Sequence, residues 1–273
     1  MSGNVKGSMN VRRTGAAAVV TTALMALSLA GCGGSGGGSG DNGFSGFKHT
    51  AGTGATHQAA GTPKGTGSAT TPPPTVPSTP LAGQLPSRLE SDGTTILVGD
   101  PSAPHTLTLD EDPRCPVCKQ FENTNGAQIT ALARAGKVNL KYTMASFLDR
   151  NLGGGGSKRA VNALRAAVPV NGFEALHALI YAHQPAETTD GLTVDYLLEL
   201  ASKVPGLRSP WFDAAVRGQM FSDFVSSSEN AFLHSGATGT PTVKIDGQGV
   251  PGNGQALFNA KDFKALLAQH GIS

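Results

Sequence analysis

The sequence predicts a mixed α/β domain that contains an inserted block of helices and is preceded by a long disordered tether. Three observations lead to this fold class. Short apolar runs typical of strands occur at 94–98, 105–109 and 138–144. Residues 157–236 then carry apolar side chains at helical spacing. A further strand candidate at 242–245 follows the helices, and strands on both sides of such a block favour a single α/β core.

Residues 1–31 have the form of an export signal, with Arg12 and Arg13 followed by an apolar stretch that is short for a membrane span. The stretch ends in the letters LAGC at 29–32, which resemble the lipobox of bacterial lipoproteins. The resemblance implies cleavage before Cys32 and a diacylglyceryl thioether on its sulfur. Two acyl chains give lasting attachment, here at the outer face of the cytoplasmic membrane. The alternatives are an ordinary secretory leader that leaves Cys32 free and an uncleaved anchor, and the arginine pair leaves the choice between Sec and twin-arginine export open.

The charge of the chain excludes a general nucleic-acid-binding protein. The 273 residues carry 21 Lys+Arg and 19 Asp+Glu, a formal net charge of +2. Lys6, Arg12 and Arg13 lie in the leader, so the remainder carries 18 basic and 19 acidic side chains, a net charge of −1. A near-neutral protein has no general field for holding polyphosphate, and we expect no nucleic-acid partner. The three cysteines are too few for a multi-disulfide scaffold or a four-cysteine metal site.

Residues 32–88 are predicted to form the tether, made mainly of Gly, Ser, Thr, Ala and Pro. Such a composition buries too little apolar area to offset the entropy lost on ordering, so we expect a disordered spacer that lifts the domain at 89–273 off a membrane. The alternative is a segment without any spacing role. His49 and His57 lie in this segment and are interpreted as solvated side chains rather than metal ligands.

The domain at 89–273 is long enough to build a hydrophobic core. We expect its first helix to begin near residue 115 and to have an irregularity at 123–126. The acidic run at 110–113 interrupts the preceding strand and is expected in a loop, and the glycines at 153–156 predict a flexible break. Further helices are expected at 193–203, at 209–220 with Pro210 in the first turn, at 221–233 and at 260–270.

The most informative motif is Cys115-Pro116-Val117-Cys118, which follows a predicted strand and opens a predicted helix. A C-x-x-C unit in that setting indicates a dithiol redox centre. Cys115 is expected at the helix N-terminus, where free N–H groups and the positive end of the helix dipole stabilise a thiolate. Cys118 lies three residues further on, within reach of a disulfide, and is expected to be more buried. Pro116 suits the first helical turn.

Three other interpretations of the cysteine pair remain. The pair can be a structural disulfide, half of a zinc site, or two unreactive buried thiols. A zinc site needs four ligands, and the chain offers neither two further cysteines nor a paired histidine motif. An exported location disfavours two free thiols.

Residues 112–122, the segment at 239–243 and the helical block between them resemble the DsbA-like branch of the thioredoxin superfamily. The resemblance implies a thioredoxin fold with a helical insertion at about 157–236, and thiol–disulfide exchange as the activity. We expect neither a cofactor nor a metal.

Position by position, the resemblance also implies roles for individual residues. Cys115 resembles the nucleophile and Cys118 the resolving thiol, with Pro116 and Val117 as the dipeptide between them. Pro241 resembles the cis-proline that faces the active site, and a cis bond there would expose the backbone of Thr240 to pair with an extended substrate segment. The alternative for this proline is an ordinary trans residue in a loop.

One position departs from the family pattern. Many thioredoxin-fold enzymes carry a buried acid six residues before the first cysteine, and here that position is Leu109. The acids at 110–112 would disfavour a thiolate at the first cysteine, whereas Arg114 and Lys119 would favour it. Glu122 matches an acid common after the second cysteine in the family, or more simply pairs with Lys119 along the helix.

These observations together predict a membrane-tethered, extracytoplasmic thiol–disulfide oxidoreductase that forms disulfides in exported proteins. Its expected partners are exported client proteins with thiols or disulfides and a membrane redox partner that recharges it, which the family implies. The same cysteine pair would serve a reductase or an isomerase. A hypothesis from a different class is a non-catalytic binding or chaperone lipoprotein that keeps the fold and holds extended segments near Pro241.

Other candidate groups are interpreted as structural. Trp211 is expected to pack the helical block rather than to line a client groove. The glycines at 153–156 lack the Lys-Ser/Thr order of a phosphate-binding loop. Four histidines are interpreted as surface or satisfied core residues rather than ligands: His105, His177, His183 and His234.

Overall fold

The computed structural model describes residues 75–250 and 252–273. The predicted signal peptide at 1–31, the lipid attachment at Cys32, most of the tether, His49 and His57 lie outside the described residues. Within the described part of the chain, no helix combines the length and the apolarity needed to cross a membrane.

A six-stranded sheet in the order β1-β2-β4-β3-β5-β6 forms one layer of the fold. Its strands are β1 (Ser87–Leu89), β2 (Ile96–Val98), β3 (His105–Glu111), β4 (Val138–Met144), β5 (Thr242–Ile245) and β6 (Gln248–Gly249). β3 and β4 pair in parallel, and the other neighbours are antiparallel. Because β3 is a central strand, the residues that follow it lie at the middle of one edge of the sheet.

Eight α-helices complete the described domain. They are α1 (Pro116–Arg134), α2 (Leu148–Leu152), α3 (Gly156–Ala167), α4 (Phe173–Ala182), α5 (Val194–Ser202), α6 (Pro210–Arg217), α7 (Ser222–His234) and α8 (Ala260–Gln269), with 3-10 turns at Val168–Val170 and Gly252–Phe258. Helices α3 to α7 occupy the predicted insertion between β4 and β5. The mixed α/β fold class with an inserted helical block is confirmed.

Capping residues and a first-turn proline mark the starts of two helices. Thr193 caps α5 by accepting a hydrogen bond from the Tyr196 N–H, and Ser209 caps α6 through the Phe212 N–H. Pro210 lies in the first turn of α6, as predicted. Trp211 is buried and packs edge-on against an aromatic ring at the start of α7, so its expected role in the helical block is confirmed.

Helix α1 runs without the irregularity expected at 123–126. Asn125 is buried and its side-chain amide donates to the carbonyl of Leu257 at 2.6 Å, which holds this residue inside the helix despite its preference for turns. A Cβ atom on Gly126 would approach a carboxylate oxygen of Glu122 to 2.7 Å, so the glycine leaves room for that side chain. Tertiary contacts thus outweigh local propensity.

The expectation that the acidic run at 110–113 forms a loop is wrong for its first two residues. Asp110 and Glu111 belong to β3, where they pair with Thr143 and Met144 of β4. Both acids are buried. Ladder hydrogen bonds with neighbours on both sides of the central strand extend it beyond the point at which its apolar alternation ends.

Two further boundaries differ from the sequence prediction. The tether was expected to reach residue 88, but β1 begins at Ser87, Leu85 is buried, and the Leu81 N–H donates to the carbonyl of Val170 at 2.8 Å. The short helix α2, which the sequence did not predict, directly precedes the glycines at 153–156. These glycines form the link from α2 to α3, and α3 begins at the last of them.

Candidate active site

Cys115 stands at the junction of the central strand and helix α1, which it caps. Its backbone is extended (φ −69, ψ 118), and its Sγ accepts a hydrogen bond from the Cys118 N–H at 3.4 Å. Pro116 takes the first turn, where no backbone donor is lost. Both cysteines are free thiols in this structure. The predicted placement of the pair at a helix N-terminus is thus what the structure shows.

The two sulfurs differ in accessibility. Cys118 is fully buried and Cys115 is 6% exposed, whereas Val117 between them is 41% exposed. Leu148 of α2 and Tyr181 of α4 form one buried cluster with the two cysteines. The motif therefore reaches the surface on the side of Cys115 and Val117.

The two thiols also differ in acidity. A hydrogen bond with the Cys118 side chain lowers the pKa of Cys115 to about 6, with further help from Thr240 and from backbone N–H groups of the motif. Burial raises the pKa of Cys118 well above its usual value. At neutral pH the pair consists of a thiolate at Cys115 and a protonated thiol at Cys118, which is the arrangement that thiol–disulfide exchange needs.

Arg114 and Lys119 were expected to favour the thiolate of Cys115, but both side chains have other partners. The guanidinium of Arg114 bonds Asp149 at 2.9 Å, and the Lys119 ammonium donates to the carbonyl of Gln184 at 3.1 Å. Both cations are therefore engaged elsewhere, and hydrogen bonds account for the lowered pKa of Cys115. The alternative pairing of Glu122 with Lys119 is wrong.

The peptide bond between Thr240 and Pro241 is cis, as the resemblance implied. The carbonyl oxygen of Thr240 lies 3.3 Å from the sulfur of Cys115. An open groove of about 470 Å³ adjoins this point. Its walls include Val117, Pro241, Val250, Leu257 and Phe258. The groove combines apolar side chains with threonines that include Thr240 and Thr242, a mixture that suits an extended polypeptide segment.

A cluster of buried titratable groups lies beneath the cysteine pair. His177 of α4 is 2.8 Å from Glu111 of β3 and 4.0 Å from Glu122 of α1, measured between its ring nitrogens and a carboxylate oxygen of each. Burial raises the pKa of each carboxyl group to about 8 and lowers the pKa of His177. Sequence reasoning assigned Glu122 to a family position but missed Glu111 and treated His177 as structural.

A second buried network fixes the loop that leads into Cys115. Asp112 accepts hydrogen bonds from the Arg114 N–H, the Ser157 hydroxyl and the Leu148 N–H. Arg114 in turn pairs with Asp149 and donates to the carbonyl of Gly153 at 2.7 Å. The network joins the end of β3 to helices α2 and α3, so the insertion positions the nucleophile.

Gln184 adds a third constraint on the same loop. Its buried side-chain amide donates to the carbonyls of Pro113 and Cys115 at 2.8 and 3.0 Å. The side chain lies just after α4, and its sequence neighbours gave no signal of this role.

Comparisons with known proteins agree with this architecture. A family model described as Thioredoxin matches residues 91–267, more than half of the chain. Oxidised BdbD from Bacillus subtilis superposes with a TM-score of 0.55 at 19% identity, over 68% of this chain and 97% of that one. Oxidised DsbA of Mtb (Mycobacterium tuberculosis) gives a TM-score of 0.52 at 24% identity, over 69% and 92%. MdbA from Actinomyces oris, described as a thiol-disulfide oxidoreductase, gives 0.54 at 24% identity, over 67% and 88%.

At these identities the structural similarity establishes the fold, and it confirms the fold class that the sequence predicted. A search of curated protein sequences found no match.

Proposed function

The chain belongs to the Thioredoxin family, and on that premise we propose that it is a thiol–disulfide oxidoreductase that forms disulfides in exported proteins through Cys115 and Cys118. One observation carries the proposal. A Cys115 sulfur with a pKa of about 6 stands beside the protonated thiol of Cys118, next to an open groove that contains the cis-proline. No cofactor enters the proposed reaction, because the two sulfurs hold and release the electrons.

The proposed reaction begins with the oxidised pair. A client thiolate attacks the sulfur of Cys115, and the bond between Cys115 and Cys118 breaks with its electron pair going to Cys118. Because the pKa of Cys118 is well above its usual value, this sulfur takes up a proton. A second client thiolate then attacks the client sulfur of the mixed disulfide and expels Cys115 as a thiolate, which its low pKa stabilises.

Atoms and electrons balance in this reaction. The client loses two electrons and two protons as two thiols become one disulfide. The cysteine pair gains both electrons, one proton goes to Cys118 and the other to solvent. The pair returns to its oxidised form when a partner accepts the two electrons, and we propose that this partner is a membrane redox protein.

Client binding is assigned to the groove beside Cys115. An extended client segment pairs with the backbone at Thr240, and its side chains contact the apolar wall that includes Pro241 and Val250. Backbone pairing gives affinity without strict sequence preference, which suits an enzyme that acts on many unfolded clients.

The location is proposed from the sequence. The letters LAGC at 29–32 support cleavage before Cys32 and lipid attachment there, and the composition of 32–88 supports a spacer. The enzyme would then act at the outer face of the cytoplasmic membrane, on proteins that emerge from the export machinery.

Covalent trapping distinguishes thiol–disulfide exchange from non-covalent binding of a client. The full chain carrying Cys118→Ser is incubated with an exported protein that contains a disulfide. We expect the Cys115 thiolate to attack that disulfide and to remain in a mixed disulfide, because the resolving thiol is gone. Non-reducing electrophoresis should show an adduct that dithiothreitol removes.

The matched control is the double variant Cys115→Ser/Cys118→Ser, which keeps Cys32 and so reports any adduct formed there. A protein that only holds extended segments would give no adduct with either variant. That result would exclude the proposed exchange.

The reduction potential tests the direction of exchange. The low pKa of the Cys115 thiol stabilises the reduced form, so we expect the pair to have a potential above about −200 mV, well above the roughly −270 mV of thioredoxin. Equilibration of the Cys32→Ser chain with glutathione buffers, followed by separation of the oxidised and reduced forms, measures it. A value near that of thioredoxin would assign the chain to reduction of client disulfides instead.

A further inference from the structure

The end of helix α4 lies against the turn that carries Cys115. Tyr181, near the end of α4, belongs to the buried cluster that contains both cysteines. Gln184 lies two residues beyond Ala182, the last residue of α4, and is 7% exposed. Its backbone N–H donates to the carbonyl of Tyr181 at 3.3 Å, which fixes it at the helix end. The insertion thus places a buried polar side chain beside the cysteine turn.

The end of a helix is an unfavourable neighbour for a thiolate. Its last carbonyls have no partner within the helix and form the negative end of the helix dipole, and negative charge near Cys115 disfavours ionisation. Side-chain donors offset this effect beyond α4. The Tyr196 hydroxyl donates to the carbonyl of His183 at 2.7 Å. The Lys119 ammonium donates to the carbonyl of Gln184 at 3.1 Å.

The side chain of Gln184 presents donors to the cysteine turn. Its amide nitrogen donates to the carbonyl of Pro113 at 2.8 Å and to the carbonyl of Cys115 at 3.0 Å. A side-chain amide has two N–H hydrogens, so these two bonds use both. Because the two carbonyls lie on either side of Arg114, one amide group fixes both ends of this short segment.

The carbonyl of Cys115 connects this clamp to the sulfur. It also accepts the Lys119 N–H at 3.1 Å, at the start of α1. The sulfur of the same residue accepts the Cys118 N–H at 3.4 Å. Fixing the carbonyl therefore fixes the backbone from which the sulfur extends and keeps the sulfur within reach of that N–H. Such N–H contacts favour the charged form of the thiol.

We propose that Gln184 is a positioning residue for exchange, which holds the turn at 113–115 in the geometry that stabilises the thiolate of Cys115 and thereby raises the reduction potential of the pair. This role rests on the proposed function. The amide of Gln184 bonds carbonyl oxygens, so it acts on the sulfur through the backbone of Cys115. The inserted helical block sets the potential through this one residue beyond α4.

Three substitutions at position 184 separate hydrogen-bond donation from charge. Each is made in the full chain with Cys32→Ser, which leaves one redox pair. Gln184→Met has a similar length and no donor. Gln184→Glu offers acceptors to the two carbonyls and adds a negative charge. Gln184→Lys keeps donors and adds a positive charge.

Equilibration with glutathione buffers gives the equilibrium constant for oxidation of glutathione by the enzyme disulfide. We expect Gln184→Met to lower this constant about tenfold, which corresponds to about 30 mV in potential. Gln184→Glu should lower it further, and Gln184→Lys should raise it above the parent value. The rate of alkylation by iodoacetamide against pH gives the pKa of the Cys115 thiol, which should rise in the first two variants and fall in the third.

The same three substitutions at Gln128 are the matched control. Gln128 lies on α1, and its amide donates to the side-chain oxygen of Asn125 at 2.7 Å. It comes 13 residues after Cys115, about 20 Å along the helix axis. That separation exceeds the Debye length of about 8 Å at physiological ionic strength, so we expect none of the three to change the constant.

A purely structural role for Gln184 would give a different pattern. The variants would then lose stability to urea but keep the parent equilibrium constant and the parent pKa of Cys115. That result would overturn the proposed role, and so would changes of the same sign in Gln184→Glu and Gln184→Lys.

Gln184→Asn decides the question if the larger changes prevent folding. Its amide is one methylene shorter and reaches one of the two carbonyls at most. We expect the equilibrium constant to fall about threefold. A folded Gln184→Asn chain with the parent constant would overturn the proposed role.

These outcomes are distinguishable from failure of the proposed function. If the parent chain traps no client through Cys115, the proposed exchange fails whatever the variants do. If the parent traps clients and has the expected high potential, but the variants at 184 share its equilibrium constant, only the role of Gln184 is overturned.

Discussion

Cys115→Ser should remove thiol–disulfide exchange from a chain that remains folded. We expect the rate of oxidative refolding of a reduced client to fall by about three orders of magnitude or more, to the background of the glutathione buffer, because a hydroxyl neither ionises near pH 7 nor forms a disulfide. Serine also caps helices well, so helix α1 keeps its N-terminal hydrogen bond to the Cys118 N–H. Recovery of client activity with time measures the rate.

Two observations check this expectation. Cys32→Ser in the same full chain should keep the parent refolding rate, because the proposed lipid-bearing sulfur takes no part in exchange. Equal thermal unfolding of Cys115→Ser and the parent would show that the fold is intact. Refolding by Cys115→Ser above the buffer background would mean that Cys118 alone suffices, which its burial and raised pKa argue against.

The cysteine pair was predictable because its determinants are local. A C-x-x-C motif between an alternating strand and an amphipathic helix specifies the N-terminal position of Cys115, and Pro116 marks the first turn. Strand β4 was predicted with its observed bounds at Val138–Met144, because apolar and polar residues alternate along the whole strand. Pro210 and the capping Ser209 similarly marked the start of α6.

The residues around the pair were not predictable in the same way. Glu111 belongs to a run whose letters are typical of a loop, and only pairing with β4 shows that it is a buried strand residue. His177 lies 66 residues further along the chain, on a helix whose apolar pattern fits an ordinary core position. A contact between a strand end and an inserted helix leaves no periodic signal in one sequence.

The partner of Arg114 was not predictable for a similar reason. Its position next to the nucleophile favoured a role in lowering the pKa of Cys115, yet its partner Asp149 is 35 residues away and lies in the unpredicted helix α2. Charge near a cysteine in sequence therefore does not give the direction in which the side chain extends. The packing of the insertion against the strand end decides that direction.

The largest expected change in the free energy of unfolding comes from breaking the buried ion pair between Arg114 and Asp149. Arg114→Met should lower the free energy of unfolding by about 3–5 kcal/mol, because it leaves the buried carboxylate of Asp149 without its cation. It also removes donors from the carbonyls of Gly153 and Glu187, each 2.7 to 2.9 Å from the guanidinium. Urea unfolding of the reduced chain, with the midpoint and slope fitted together, measures the change.

Two variants distinguish a broken buried pair from the loss of any arginine. Arg88→Met removes an ion pair with Glu90 whose arginine side chain is 52% exposed, so we expect a change of about 1 kcal/mol or less. Arg114→Met/Asp149→Asn should recover part of the loss, because it removes the uncompensated charge as well as its partner. If the double variant is no more stable than Arg114→Met, the loss comes from hydrogen bonds rather than from the unpaired charge: those that the guanidinium donates to the carbonyls at 153 and 187, or those that Asp149 accepts from the Ser157 and Lys158 N–H groups.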